Sequence, residues 1–146
     1  MKAVVQRVNG SSVTVDGERI AKIGRGLAVL LGVEKGDTTK DVNFLAEKIA
    51  NLRIFEDDAG KMNLSVLDVH GEALVVSQFT LLGDCSKGRR PGFDKAASPD
   101  LADSMYNEFV EMLNACGVPV QTGRFGAKML FDIANYGPVT FILDTR

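Results

Sequence analysis

The run Leu27-Ala28-Val29-Leu30-Leu31-Gly32-Val33 constrains the fold of this chain more than any other segment. A strand with one face in water alternates apolar and polar residues, whereas a nearly continuous apolar run fits a strand covered on both faces. Gly24 and Gly26 break the chain just before it. The residues ahead of that break read as a β-meander. Val4, Val5 and Val8 belong to an opening strand, Asn9-Gly10 is a turn signal, and Ser12-Val13-Thr14-Val15 alternates polar and apolar. Asp16-Gly17 marks a second turn, and Arg19 to Ile23 returns as the next strand.

Thr38 or Thr39 caps an expected helix that runs to about Leu52. Val42, Leu45, Ala46, Ile49 and Leu52 share one face of it at helical spacing, away from Lys40, Asp41, Glu47 and Lys48. Arg53 to Glu56 suits a short strand, Asp57 to Lys61 a turn, and Ala73 to Phe79 another strand. Leu82 to Ser98 is a long loop holding Gly83, Gly88, Pro91 and Gly92, and long loops inside compact domains often carry function. Ser98-Pro99-Asp100 starts a second helix, with Leu101, Met105, Phe109, Met112 and Leu113 as its apolar stripe. Gly117 stops it and Pro119 reinforces the stop. Three strand-like runs follow: Val118 to Gly123, Met129 to Ala134 and Val139 to Leu143. The order of strands, helix, strands, helix, strands implies a single α/β domain. Its sheet is expected to be largely antiparallel, or a flattened β-barrel, with two helices packed on it.

Composition narrows the function. At 146 residues, 45% of them apolar, one domain has enough material for a core. The formal net charge of −2 argues against coating nucleic acid by bulk charge and leaves room for a local basic patch. DNA is not an expected partner. Cys85 and Cys116 are expected to be free thiols, and two Cys with the single His70 make a zinc site improbable, so no metal or cofactor is expected. The longest apolar run, Leu27 to Leu31, is far too short to span a membrane, and the first residues lack the features of a secretory signal. A cytoplasmic protein is the expectation.

Two segments stand at the ends of strand-like runs, where amides and hydroxyls meet a ligand. They are Ser77-Gln78-Phe79-Thr80-Leu81 and Asn135-Tyr136-Gly137-Pro138-Val139-Thr140. Neither contains His, Asp, Glu or Cys, so a site made of them works through hydroxyls, amides and backbone dipoles. Such groups can hold a carbonyl and stabilise the oxyanion of acyl transfer, with Phe79 walling the pocket or stacking on a base. The plainer alternative is a strand end whose Ser and Thr satisfy nearby backbone groups. Thr80 has no neighbouring base, and His70 sits in a turn-like His70-Gly71 pair, which argues against a Ser-His-Asp triad. Thr80 suits orientation of a substrate instead. On base rates alone the Gly137–Pro138 bond is expected to be trans. Lys87-Gly88-Arg89-Arg90-Pro91 is the one compact basic cluster, either a phosphate contact or a solvated loop.

Together these segments resemble the D-aminoacyl-tRNA deacylase family, also described as D-tyrosyl-tRNA deacylases. The resemblance covers essentially the whole chain. It runs through Met1 to Val8, Gly26 to Val33, Asn51-Leu52-Arg53-Ile54-Phe55, Ser77 to Leu81, Lys87 to Pro91 and Asn135 to Thr140. It implies a homodimer that hydrolyses the ester joining a D-amino acid to the 3′-terminal adenosine of tRNA, with mischarged glycine also accepted. It places Ser77, Gln78, Phe79 and Thr80 in the catalytic pocket. It makes Gly137–Pro138 a cis motif that enters the partner subunit's pocket and rejects L substrates, against the trans expectation. Apart from the resemblance, the basic cluster makes Lys87, Arg89 and Arg90 candidate tRNA contacts. Two other readings compete: a non-catalytic RNA-end-binding module, and a hydrolase with a Thr80 or Cys85 nucleophile.

Overall fold

The computed structural model describes all 146 residues. In chain order the elements are β1 (Lys2–Val15), β2 (Glu18–Ile23), β3 (Gly26–Gly32), α1 (Thr39–Asn51), β4 (Phe55–Glu56), β5 (Met62–Leu64) and β6 (Glu72–Ser77). A single 3₁₀ turn (Phe79–Leu82), α2 (Pro99–Ala115), β7 (Val120–Thr122) and β8 (Leu130–Asp144) complete the chain. The main sheet has the order β2-β1-β3-β6-β7, with β8 also paired to β1, while β4 and β5 form a separate hairpin. β1 is antiparallel to β2, β3 and β8, as the hairpin-sized links lead one to expect. β6 joins β3 in parallel, and β7 joins β6 in parallel. Each parallel step needs a crossover, and α1 and α2 supply them. The sheet nearly closes on itself. Lys22 N donates to Gln121 Oε1 at 2.9 Å and Gly24 N to Glu72 Oε2 at 3.0 Å, which ties β2 to β7 and β6.

β3 is buried on both faces. Leu27, Val29 and Leu31 join Ala73 and Val75 of β6 in a core under the two helices, with Leu45, Ile49, Phe109 and Leu113 above them. Ala28 faces the other way with Leu74 and Val76, against Val8, Val13 and Ile23 inside the barrel. Burying a Leu- or Phe-sized side chain is worth ~1.5–3 kcal/mol, so the alternation along these two strands fixes their register.

β1 serves both cores through an irregularity. Ala3 and Val5 belong to the helix-side core, whereas Val13 and Val15 belong to the barrel interior. In a regular strand these odd-numbered residues would share one face. The pairing with β8 shifts between Val8 and Ser11, and that shift turns the strand over. Asn9-Gly10 is therefore part of an irregular strand rather than a turn. The runs expected at Met129–Ala134 and Val139–Leu143 likewise merge into one strand, β8, which starts at Leu130 and is interrupted by the Gly-Pro pair but not ended by it. Opposite Arg7, Gln6 pairs with Thr140 and Val8 with Asn135, so β8 spends five residues where β1 spends two. The surplus, Tyr136 to Pro138, is pushed outward and exposed.

The helix ends follow their sequence signals. Thr38 N donates to Asp41 Oδ2 at 2.8 Å, a bond that holds the Asp41 carboxyl below its usual pKa. Ser98 Oγ accepts from Leu101 N, and Pro99 occupies the first turn of α2. The chain ends are knotted together. The Met1 ammonium donates to Asp37 Oδ1 at 2.7 Å and Thr145 Oγ1 at 2.9 Å, and Arg146 Nη2 donates to Asp37 Oδ1 at 2.9 Å. The Asp37 side chain is fully buried, so its removal leaves the buried Met1 ammonium without its carboxylate partner. Asp37→Ala is expected to cost ~3–5 kcal/mol, measured by urea denaturation. A loss within that of an ordinary surface substitution would contradict this.

Candidate active site

β3, β6 and β7 run parallel and finish on one side of the molecule. In open α/β sheets ligands settle outside such carboxyl ends. A cavity of about 560 Å³ lies there, lined by Val33 after β3, by Val76 to Phe79 at the end of β6, and by Phe125 to Ala127 after β7. Phe93 and Ala102 close it from the long loop and from α2. Its lining is mainly apolar, with the polar groups concentrated at Ser77 and Gln78. Such a site suits a flat aromatic or apolar group held by a few directed polar contacts.

The strand expected to reach Phe79 ends at Ser77, and the chain turns sharply into the 3₁₀ segment. That turn presents backbone. Gln78 N is taken up by Leu31 O at 2.8 Å, which pins the strand end to β3. The turn's own bonds run from Leu81 N to Gln78 O and from Gly83 N to Thr80 O. The N–H groups of Phe79 and Thr80, at the head of the turn, have no acceptor within it. The Gln78 amide donates to Thr80 Oγ1. Phe79 is half exposed and meets Phe93 edge to face, with centroids 5.0 Å apart. Of the four residues expected here, Ser77, Gln78 and Phe79 line the cavity, while Thr80 stands beside it and acts on Gln78.

Gly137 and Pro138 do not line this cavity. Their peptide bond is cis, which corrects the expectation from base rates. The excursion that carries them is held from three sides. Arg7 Nε donates to Tyr136 O at 3.0 Å, Val139 N donates to Asn135 Oδ1 at 2.8 Å, and Asn135 Nδ2 donates to Thr140 Oγ1 at 2.9 Å. Arg7 is itself buried, with Nη1 donating to Ile54 O at 2.9 Å. Gly137 has φ +133°, and a Cβ there would meet Val139 at 2.8 Å and Arg7 at 3.0 Å, so only glycine fits.

In the basic loop, Lys87 and Arg90 border a second, polar cleft of about 310 Å³ with Asp84, Asp94 and Lys95. Arg89 is exposed and lies outside that lining. Cys85 and Cys116 are free thiols, and His70 sits in a left-handed turn at φ +52°. Sequence reading missed Arg7, Phe93 and Phe125 to Ala127. Nothing in the pattern marks Arg7, an arginine inside a strand. Gly123 and Gly126 were the available sign that the chain turns beside the β7 end.

The architecture and this cavity define an α/β protein whose site relies on backbone and amide groups. Comparison with known proteins then places it. The sequence pattern of the family described as "D-Tyr-tRNA(Tyr) deacylase" matches residues 4–144. The protein named "D-aminoacyl-tRNA deacylase" in Geobacter sulfurreducens is 60% identical over 146 residues, covering 100% of this chain and 96% of that one. A solved structure described as "c-Myc DNA Unwinding Element Binding Protein" superposes with TM-score 0.94 at 47% identity, covering 100% and 99%. One described as a "probable eukaryotic D-amino acid tRNA deacylase" has TM-score 0.84 at 17% identity over 97% of both chains, a likeness of fold. The chain belongs to the D-Tyr-tRNA(Tyr) deacylase family. It is accordingly an enzyme, a deacylase.

Tyr106 supports the cavity from α2. Its hydroxyl donates to Val75 O at 2.7 Å, two residues before Ser77, and its ring packs 6.2 Å from that of Phe125. Burial pushes its pKa up from 10.0 to about 12. A raised folded-state pKa gives a contribution that is complete below the unfolded value and lost as pH rises. Stability is therefore expected to fall between pH 10 and about 12, and Tyr106→Phe should flatten that limb in denaturant titrations. An identical alkaline limb in the variant would rule Tyr106 out as its source.

Proposed function

We propose that this enzyme hydrolyses the ester between a D-amino acid and the 3′-terminal adenosine of tRNA. Free D-amino acid and tRNA are released, as chiral proofreading in the cytoplasm. Water adds to the ester carbonyl, and the tetrahedral oxyanion lies against the N–H groups of Phe79 and Thr80. Collapse expels the ribose 3′-oxygen, which takes up a proton. The neighbouring 2′-hydroxyl positions or activates the water, so the protein needs no acid–base side chain. Phe79 and the apolar lining receive the adenosine.

Selectivity comes from a second copy of the chain. The observation that carries this reading is the exposed Gly137–Pro138 excursion, pinned by Arg7 yet absent from its own chain's cavity. In a homodimer it enters the partner's cavity and fills with backbone the space an L side chain needs. A D side chain points outward, whatever its chemistry. Glycine has nothing to exclude and is hydrolysed as well. β8 is also suited to pairing of copies. It has one sheet neighbour and exposes Leu130, Tyr136, Phe141 and Ile142.

Matched D- and L-tyrosyl-tRNA separate the readings. Hydrolysis of the D form alone by a dimer is expected, while equal cleavage of both would end this proposal. Binding without turnover would favour an RNA-end module. Thr80→Ala should keep activity within about tenfold, because loss of a whole oxyanion donor costs ~10²–10³ in kcat and the backbone donors remain. A drop of that larger size would make the Thr80 hydroxyl itself catalytic.

A further inference from the structure

Residues 92–97 form a wall between the two concavities. Phe93, Ala96 and Ala97 face the apolar cavity, while Gly92, Asp94 and Lys95 face the polar cleft. The wall is fastened at both ends. Asp84 and Gly92 exchange backbone hydrogen bonds at 2.8 and 2.9 Å. Ala97 N donates to Val33 O at 3.0 Å and Lys35 N to Lys95 O at 2.9 Å, beside the end of β3. The two spaces are therefore fixed neighbours.

The cleft carries three cations, Lys87, Arg90 and Lys95, against two carboxylates, Asp84 and Asp94. None of the three cations has a carboxylate within ion-pair distance, since the ion pairs of the molecule all involve Met1, Lys2 or Arg146. Asp84 instead turns back on its own loop, where Oδ1 accepts from Ser86 N at 2.9 Å. Three cations without ion-pair partners along one concave surface suit an anion with several acceptor oxygens.

We propose that this cleft is a phosphate subsite for the RNA strand just upstream of the terminal adenosine, formed by Lys87, Arg90 and Lys95. The inference rests on the reading that the apolar cavity holds that adenosine. A nucleoside at a 3′ end carries its phosphate on the 5′ side, so seating the base against Phe93 delivers the phosphate across the wall. Lys95 enters the site from outside the basic motif. Arg89, inside the motif, stays out of it, so the fold and not the run of charges selects the contacts.

The test is binding of a fluorescent single-stranded RNA ending in CCA, at several salt concentrations, to the full-length protein. Combined substitution Lys87→Gln, Arg90→Gln and Lys95→Gln should weaken binding at least about tenfold and reduce the slope of log affinity against log salt by about 2. Arg89→Gln should leave both within twofold of wild type, by the same measurement. All four side chains are exposed, so unchanged melting curves are expected to accompany these results. Unaltered RNA affinity in the triple variant, or an equal loss with Arg89→Gln, overturns the subsite. Turnover of D-tyrosyl-tRNA is followed in parallel. A wild-type protein that shows the expected RNA pattern but no turnover would keep the subsite and remove the deacylase mechanism.

Discussion

Everything in this fold depends on β1 being shared among three strands while changing face midway. Its first half feeds the core beneath the helices and its second half the barrel interior. A regular strand could do only one of these. The register shift beyond Val8 allows β2 to close toward β7, and a separate mismatch opposite Arg7 throws Tyr136 to Pro138 out of the sheet. Closure and projection thus both come from irregular pairing along one strand.

The cavity is a consequence of the crossovers. Parallel strands leave their carboxyl ends on one side, and the links to the next elements must rise around that opening. Here those links are the 3₁₀ turn after Ser77, the long loop before α2, and the Phe125–Ala127 turn after β7. Tyr106 fixes α2 to β6 within two residues of the strand end, so helix packing sets the position of the Ser77–Phe79 amides. The cavity-facing groups are placed by ordinary core packing.

Much of this was legible in the sequence for definite reasons. The unbroken apolar run at β3 is the pattern of a strand with two buried faces, and both cores claim it. Ser98-Pro99 and Thr38 mark the helix starts because capping chemistry is local. Asn9-Gly10 misled because the residues that allow a turn also allow an irregular strand, and only the partner strands decide between them. Gly137-Pro138 misled similarly, by suggesting a break in what proved one strand. Arg7 could not be read at all. Its significance lies in the carbonyls of Ile54 and Tyr136, which are brought to it from far along the chain.

β8 has a further consequence. A fifteen-residue strand with one free edge and outward-facing Leu130, Phe141 and Ile142 is an invitation to aggregation. On the dimer reading proposed above, a second copy would cover it, and the same encounter that completes the chiral filter would silence the hazard. On that reading solubility and accuracy come under selection at the same residues, and a variant that loosened self-association would forfeit both at once.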